Sequence, residues 1–289
     1  MTKTNSICKM LTAAAMVLCL LGAILGYISP LAVARAEDED DIYYYSTDDI
    51  VTYTTETFTY ARYEEQTGNV NPYFPQYYNN DTTLANACAP VAGSIVVGYF
   101  DRFLLALIPG FTPGYYVGST YKFYAMSACS TTIQGVISSL YTSMGTNSIQ
   151  AGTSRAQFRQ GLTTYAVNAD YEIAYTSVKS GSTVHTVNAM GQLANKHPIV
   201  LYCSVYNLCD ATIGATGAYY DTEVHTAKHI VVAYKYRLVR YYDASDNNFR
   251  TDFFLGISTG VESTMDGWFY IGHSQSVINY ADAVNIYVS

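Results

Sequence analysis

The sequence predicts an α+β domain in which helices come first and strands follow. Apolar residues recur at helical spacing in several segments before residue 196, whereas short runs of β-branched and aromatic residues predominate from Pro198 onward. Helices followed by strands are typical of α+β domains, and no internal repeat is visible. A chain of 289 residues is long enough to bury a substantial core.

Apolar periodicity predicts three helices in the middle of the chain. They cover residues 131–144, a segment that begins near Ser154, and about 184–195. Short apolar runs between turn residues predict strands at residues 171–175, 199–203, 230–234, 238–242, 268–271 and 284–288.

The chain divides into three predicted regions. An apolar run from Leu11 to Leu25 follows two lysines and precedes the small-x-small site Ala34-Arg35-Ala36. Residues 1–36 are therefore predicted to be a secretory signal peptide, which meets the membrane only before cleavage, and the mature protein to be extracellular. Residues 37–70 form an acidic segment rich in Tyr and Thr, which is either an edge strand or a short propeptide. Residues 71–289 form the main domain.

The composition excludes several partners. The formal net charge is −8 at pH 7, and only 13% of the residues are charged. Such an acidic chain is unsuited to nucleic acid or to an anionic membrane surface. No Cys-x-x-Cys or clustered Cys/His spacing indicates zinc, so we expect no metal and no cofactor. The sequence does not indicate an oligomeric state.

Cys88 is the candidate nucleophile because it lies directly before Ala89-Pro90 and a run of small and apolar residues. Proline is favoured in the first turn of a helix, so Cys88 is predicted at the start of a helix that runs to about Leu107, before Pro109-Gly110. A helix N-terminus favours a thiolate, and its free N–H groups can bind an oxyanion. The alternative is a buried structural cysteine.

His229 and Asp243 are the candidate base and orienting residue. His229 directly precedes the predicted strand 230–234, and Asp243 directly follows the predicted strand 238–242. If these strands pair as a hairpin, the two side chains lie at neighbouring strand ends, where the carboxylate can fix the imidazole tautomer. His225, in the polar segment 221–228, competes with His229, and Asp246 competes with Asp243.

Four ordered segments resemble the papain-like cysteine peptidases of the C39-like group. They are Cys88-Ala89-Pro90 at the start of the central helix, Gln157–Tyr165 in a later helix, His197–Leu201 at a strand start, and Lys228–Tyr234 followed by Tyr241-Tyr242-Asp243. The resemblance covers the chain from about residue 71 to the C-terminus. It implies a papain-like fold, with a helical N-terminal half, the nucleophile at a helix N-terminus and an antiparallel β-sheet in the C-terminal half.

The resemblance also implies residue roles, namely nucleophile for Cys88, base for His229 and orienting residue for Asp243. The family places glutamine ahead of the cysteine to complete the oxyanion hole, whereas Thr82 stands at the corresponding spacing here. Gln76 lies further upstream, and the remaining candidates for this role are Asn80 and Asn86. Ala89 replaces the family's usual glycine.

These observations predict a secreted cysteine peptidase that hydrolyses peptide bonds through an acyl-thioester on Cys88. Its expected partner is a peptide or protein substrate. A cell-wall peptide amidase or an acyl transferase would use the same three residues. A catalytically inactive surface or binding protein on the same scaffold is the third possibility, because fold does not fix function.

Overall fold

The computed structural model describes residues 42–43, 50–70, 74–104, 106–111, 114–117, 120–123 and 129–288. Strands account for 45% of the structure and helices for 24%. Residues Asp41–Ser289 form one compact unit. The predicted signal peptide lies outside the described residues. Within the described part of the chain, no helix is long and apolar enough to cross a membrane.

Strands both precede and follow the helices along the chain. In order, the elements are β1 (Ile42–Tyr43), β2 (Ile50–Thr59), β3 (Arg62–Asn69), α1 (Cys88–Phe100), β4 (Gly114–Val117), β5 (Thr120–Phe123), α2 (Thr131–Met144), β6 (Thr153–Ser154), α3 (Arg155–Asn168), β7 (Glu172–Ser177), β8 (Lys179–Ser180), β9 (Thr183–Val184), α4 (Thr186–Ala194), β10 (Ile199–Ile213), β11 (Gly217–Thr226), β12 (His229–Tyr242), β13 (Asn248–Ser258), β14 (Asp266–Tyr270) and β15 (Val277–Tyr287). A 3₁₀ turn covers Glu262–Thr264.

A nine-stranded antiparallel sheet forms the centre of the molecule. Its order is β14-β13-β12-β10-β11-β2, with β3 paired to β12, β15 to β10 and β7 to β15. The long strands β10 and β12 pair with each other only through their first residues, Ile199–Cys203 and His229–Ala233. Beyond that point β10 pairs with β11 and β12 pairs with β3. The two strands therefore separate into two layers.

Each part of the sheet has its own core. The helices pack on the region where β10 and β12 pair, and this larger core includes the buried side chains of Val96, Phe158 and Leu201. A smaller, aromatic core, which includes Tyr220, fills the space between the two separated layers. The ring of Phe58 meets the Tyr220 and Tyr241 rings edge-on in this smaller core, at centroid distances of 5.6 and 4.8 Å.

The predicted papain-like fold with a helical N-terminal half is wrong, because the structure is mostly β and its first long elements are β2 and β3. β2 pairs with β11 and β3 pairs with β12, so residues 50–69 belong to the large sheet. Most of their side chains are exposed. These strands therefore lack the alternation of apolar and polar residues from which strands are recognised in a sequence.

The three helices predicted from periodicity are confirmed as α2, α3 and α4. Their N-termini are capped by side chains, since Ser130 accepts from the Ile133 N–H and Ser154 forms a capping box with Gln157. The predicted start of α1 at Cys88 is also confirmed, but this helix ends at Phe100 and not near Leu107. Just past the helix end, the Asp101 carboxylate accepts a 2.6 Å hydrogen bond from the Ile108 N–H.

Two helix glycines offer a matched test of packing. A Cβ at Gly161 in α3 would come within 2.6 Å of the Met144 backbone nitrogen, whereas a Cβ at Gly135 in α2 would meet nothing within 4 Å. We expect Gly161→Ala to lower the free energy of unfolding by about 1–3 kcal/mol. Gly135→Ala should raise it by ~0.5–1 kcal/mol through helix propensity. Urea denaturation measures both, and equal effects would contradict the close packing of α2 against α3.

Candidate functional site

Cys88 is the first residue of α1, a helix whose residues are all buried. The first N–H groups of a helix have no partner within the helix. No side chain caps α1, and Pro90 has no N–H, so the main-chain donors of the first turn are those of Cys88 and Ala89. Together with the Ile230 N–H at the start of β12, these two N–H groups act to lower the pKa of the Cys88 thiol, so all three lie near the sulfur. The sulfur thus lies between a helix N-terminus and a strand.

Burial decides the charge of this thiol. Cys88 is 6% exposed, and its burial raises the pKa of the thiol to about 12 although the three N–H groups act in the opposite direction. The expectation that the helix N-terminus would hold a thiolate is therefore not met, because desolvation outweighs the donors. Cys88 is a protonated thiol at neutral pH and needs a base in order to react.

His229 is the first residue of β12 and is 3% exposed. Its Nε2 lies 2.7 Å from the Thr259 carbonyl oxygen. A carbonyl can only accept, so Nε2 carries the ring proton and the neutral imidazole has its lone pair on Nδ1. The main chain at Thr259 thus fixes the tautomer, which is the role that the sequence analysis gave to a carboxylate.

The loop after β13 holds the Thr259 carbonyl in place. The Thr259 hydroxyl donates to the Thr264 carbonyl and accepts from the Val261 N–H. Gly260 has a φ of +74°, and a Cβ there would come within 2.8 Å of Val91 Cγ1 in α1. Only glycine meets both conditions without strain. The loop that orients His229 is therefore fitted against the helix that carries Cys88.

Cys88 and His229 line one cleft of about 650 Å³. One wall is formed by the segment from Tyr78 to Ala87, and the other by residues 260–262. The Tyr78 hydroxyl donates to Glu262 Oε1 across the cleft, at 3.0 Å. The acidic side chains of the lining are Asp81 and Glu262, and the lining contains no Lys or Arg. The cleft thus combines a thiol, an imidazole with a fixed tautomer and a negatively charged surround.

Asp243 does not join this site. The two strands that were predicted to form a hairpin are one continuous strand, β12, with His229 at its start and Asp243 just beyond its end. At about 3.3 Å per residue, the extended chain between the two residues is roughly 45 Å long. The Asp243 carboxylate accepts from the Ser245 and Asn247 N–H groups in the turn to β13, and these bonds lower its pKa. The competing Asp246 lies in the same turn and pairs with Arg62.

Of the three side chains predicted to bind the oxyanion, two line the cleft and one does not. The Gln76 side chain acts to lower the pKa of Tyr234 and so lies near that hydroxyl, four residues along β12 from Ile230, and Gln76 is not among the residues that line the cleft. Asn86 does line the cleft, but its Nδ2 donates to Asn147 Oδ1 at 2.9 Å. Asn80 lines the cleft as well. The main-chain N–H groups of Cys88 and Ala89, which lie near the sulfur, are further candidates for this role.

The other cysteines lie outside the cleft, and all four described cysteines are free. Cys203 and Cys209 belong to the same strand, β10, so a disulfide between them is excluded by their separation of roughly 20 Å. Cys129 is partly exposed, and its Sγ lies 3.2 Å from the Tyr78 hydroxyl oxygen.

Thr259, Gly260 and Tyr206, which packs against His229, were not anticipated from the sequence. A main-chain carbonyl has no side-chain signature, so the contribution of Thr259 could not be recognised. Gly260 offered one signal, because a glycine directly after a run of strand-forming residues often marks a special turn. Within the described residues, no group of three or more His, Cys, Asp or Glu side chains is arranged to hold a metal ion.

In comparisons with protein-family models, with curated proteins and with solved structures, no match to this chain was found. The assignment of a function therefore depends on the chemistry of the cleft.

Proposed function

We propose that this protein is a cysteine peptidase in which Cys88 is the nucleophile and His229 the general base. One observation carries the proposal: an imidazole whose tautomer is fixed by a main-chain carbonyl shares a cleft with a thiol at an uncapped helix N-terminus. Nucleophilic catalysis needs a nucleophile, a base and a group that orients the base. Cys88, His229 and the Thr259 carbonyl are suited to these roles.

The resting thiol is neutral, so deprotonation accompanies attack. Cys88 Sγ forms a bond to the substrate carbonyl carbon while its proton moves to His229 Nδ1, and the carbonyl π electrons move to the oxygen. The Cys88 and Ala89 N–H groups bind that oxyanion. The imidazolium then gives its proton to the departing amine as the C–N bond breaks. Water, deprotonated by His229, finally hydrolyses the acyl-thioester.

The buried position of Cys88 is also compatible with a structural cysteine, and Cys209 provides an internal comparison. Burial raises the pKa of the Cys209 thiol to about 11, so its thiolate fraction at neutral pH is no smaller than that of Cys88. Cys209 lies in the smaller aromatic core and outside the cleft. Selective acylation of Cys88 would therefore be caused by its position in the cleft beside His229, and not by a lower thiol pKa.

We expect an activated peptide thioester to acylate Cys88 and leave Cys209 unmodified. A peptide with Lys or Arg beside the thioester is the first choice, because Asp81 and Glu262 line the cleft. Mass spectrometry of the digested protein locates the acyl group, and hydrolysis of the matching peptide amide tests turnover. Acylation of both cysteines, or of Cys209 alone, would contradict the proposal.

Alkylation of Cys88 should depend steeply on pH in the free protein. With the pKa of the thiol at about 12, the thiolate fraction rises about tenfold for each pH unit between 7 and 10. The rate of iodoacetamide labelling should rise in the same proportion. In urea the thiol returns to an ordinary pKa of about 8.5, so labelling should be faster at pH 7 and level off above pH 9. Fast labelling of the folded protein at pH 5–6 would instead reveal a thiolate–imidazolium pair and contradict the mechanism above.

A further inference from the structure

We propose that His225 is a positioning residue for His229 and acts on it through the ring of Tyr206. This inference rests on the proposed function, because it concerns the base of the proposed reaction. His225 was placed by the sequence in a polar segment, as a competitor of His229. The structure instead places it near the end of β11, where it is buried. His225 is thus a near neighbour of His229.

The three rings form a continuous stack. Tyr206 of β10 is directly opposite His225 of β11 in the sheet register, and their rings are stacked 4.5 Å apart at an interplanar angle of 6°. The Tyr206 ring also packs against the His229 ring, with centroids 5.4 Å apart and tilted by 40°. Tyr206 is buried, like the two histidines. In this proposal His225 holds the Tyr206 ring, and the Tyr206 ring limits rotation of the His229 ring away from Thr259.

The far side of this stack carries a second titratable group. His225 Nε2 lies 3.0 Å from Glu223 Oε1 and forms an ion pair with it when the imidazole is protonated. The register partner of His225 on β2 is the uncharged Val51, and Lys228 lies in the connection from β11 to β12. The His225 ring is therefore separated from His229 by the Tyr206 ring, and the Glu223 carboxylate contacts His225.

Charges on His225 and Glu223 affect the protonation of His229 in opposite directions. A positive His225 disfavours a second positive charge on His229, and a negative Glu223 favours it. His225→Phe keeps a ring against Tyr206 but cannot carry a positive charge, which makes His229 easier to protonate. Removing the carboxylate charge with Glu223→Gln has the opposite effect. Because the intervening protein and solvent partly screen these charges, we expect each substitution to shift the titration midpoint of His229 by about 0.5 pH unit.

The test is a titration of the His229 ring nitrogens by NMR, together with the acid limb of kcat/KM for peptide hydrolysis. We expect the His229 midpoint and the acid limb to move to higher pH in His225→Phe and to lower pH in Glu223→Gln. His273→Gln is the matched control, since His273 pairs with Thr54 on the side of the sheet that holds the smaller core, and it should move neither quantity. Shifts of the same sign in the first two variants, or no shift, would overturn the inference.

The stack itself is tested by Tyr206→Leu and Tyr206→Phe. Loss of the ring should lower kcat about tenfold with little change in KM, because the base loses its orientation and the cleft does not change. Tyr206→Phe should restore kcat. A lower melting temperature with unchanged kcat in Tyr206→Leu would overturn the positioning role. The NMR titration needs no substrate, so it supports or rejects the link between the histidines even if peptide hydrolysis is absent and the proposed function fails.

Discussion

Replacing Cys88 by alanine is expected to abolish peptide hydrolysis while leaving the fold in place. The sulfur is the atom that would bond to the substrate, and loss of a nucleophile typically lowers kcat by about 10⁴-fold or more. Alanine fills much of the same space at the start of α1, so we expect the free energy of unfolding to fall by only ~1 kcal/mol. Turnover of the basic peptide amide, with circular dichroism and urea denaturation of the same sample, measures both effects.

Cys203→Ala and Cys209→Ala are the matched controls for this substitution. Both cysteines are buried and free, and burial raises the pKa of each thiol as it does for Cys88. Neither lines the cleft, so both variants should keep their activity even where they lose stability. If Cys88→Ala retains the parental activity, the protein is not a thiol enzyme, and the alternative of a tyrosine-rich surface protein gains support.

The sequence was most informative where a single face of an element is buried. In α2, Ile133, Val136, Ile137 and Leu140 face the core at helical spacing, so the bounds of the helix could be predicted from the pattern alone. The strands β2 and β3 have little buried surface. Their place in the sheet is determined by partners that lie more than 100 residues later, which no local pattern can reveal.

The division of β12 into two predicted strands has a related cause. Lys235 and Arg237 interrupt the apolar run between the two predicted strands, and they lie where β12 leaves β10 and begins to pair with β3. There the strand passes from the larger core to the smaller one, and its pattern of burial changes with it. The predicted hairpin, and with it the place of Asp243, followed from this interruption. Cys88 and His229 were nevertheless predicted at the start of a helix and of a strand, and the structure brings both to one cleft.

His229→Gln is expected to lower kcat nearly as much as loss of the thiol, by about 10³-fold or more. Glutamine can still donate to the Thr259 carbonyl, so the loop after β13 should keep its conformation. It has no basic nitrogen, however, and a thiol with a pKa of about 12 is almost entirely protonated without a base. Hydrolysis of the basic peptide amide at pH 7 measures the loss. At pH 10 the difference from the parent should narrow, because hydroxide then supplies thiolate.

Asp243→Ala is the matching control. It distinguishes the Thr259 carbonyl from the Asp243 carboxylate as the group that orients His229. The Asp243 carboxylate accepts from N–H groups of its own turn, and roughly 45 Å of extended strand separates it from His229. We therefore expect kcat to remain within about twofold of the parent, with a small loss of stability from the disrupted turn. A loss of kcat comparable with that of His229→Gln would mean that Asp243 orients the base, and the role given to the Thr259 carbonyl would be wrong.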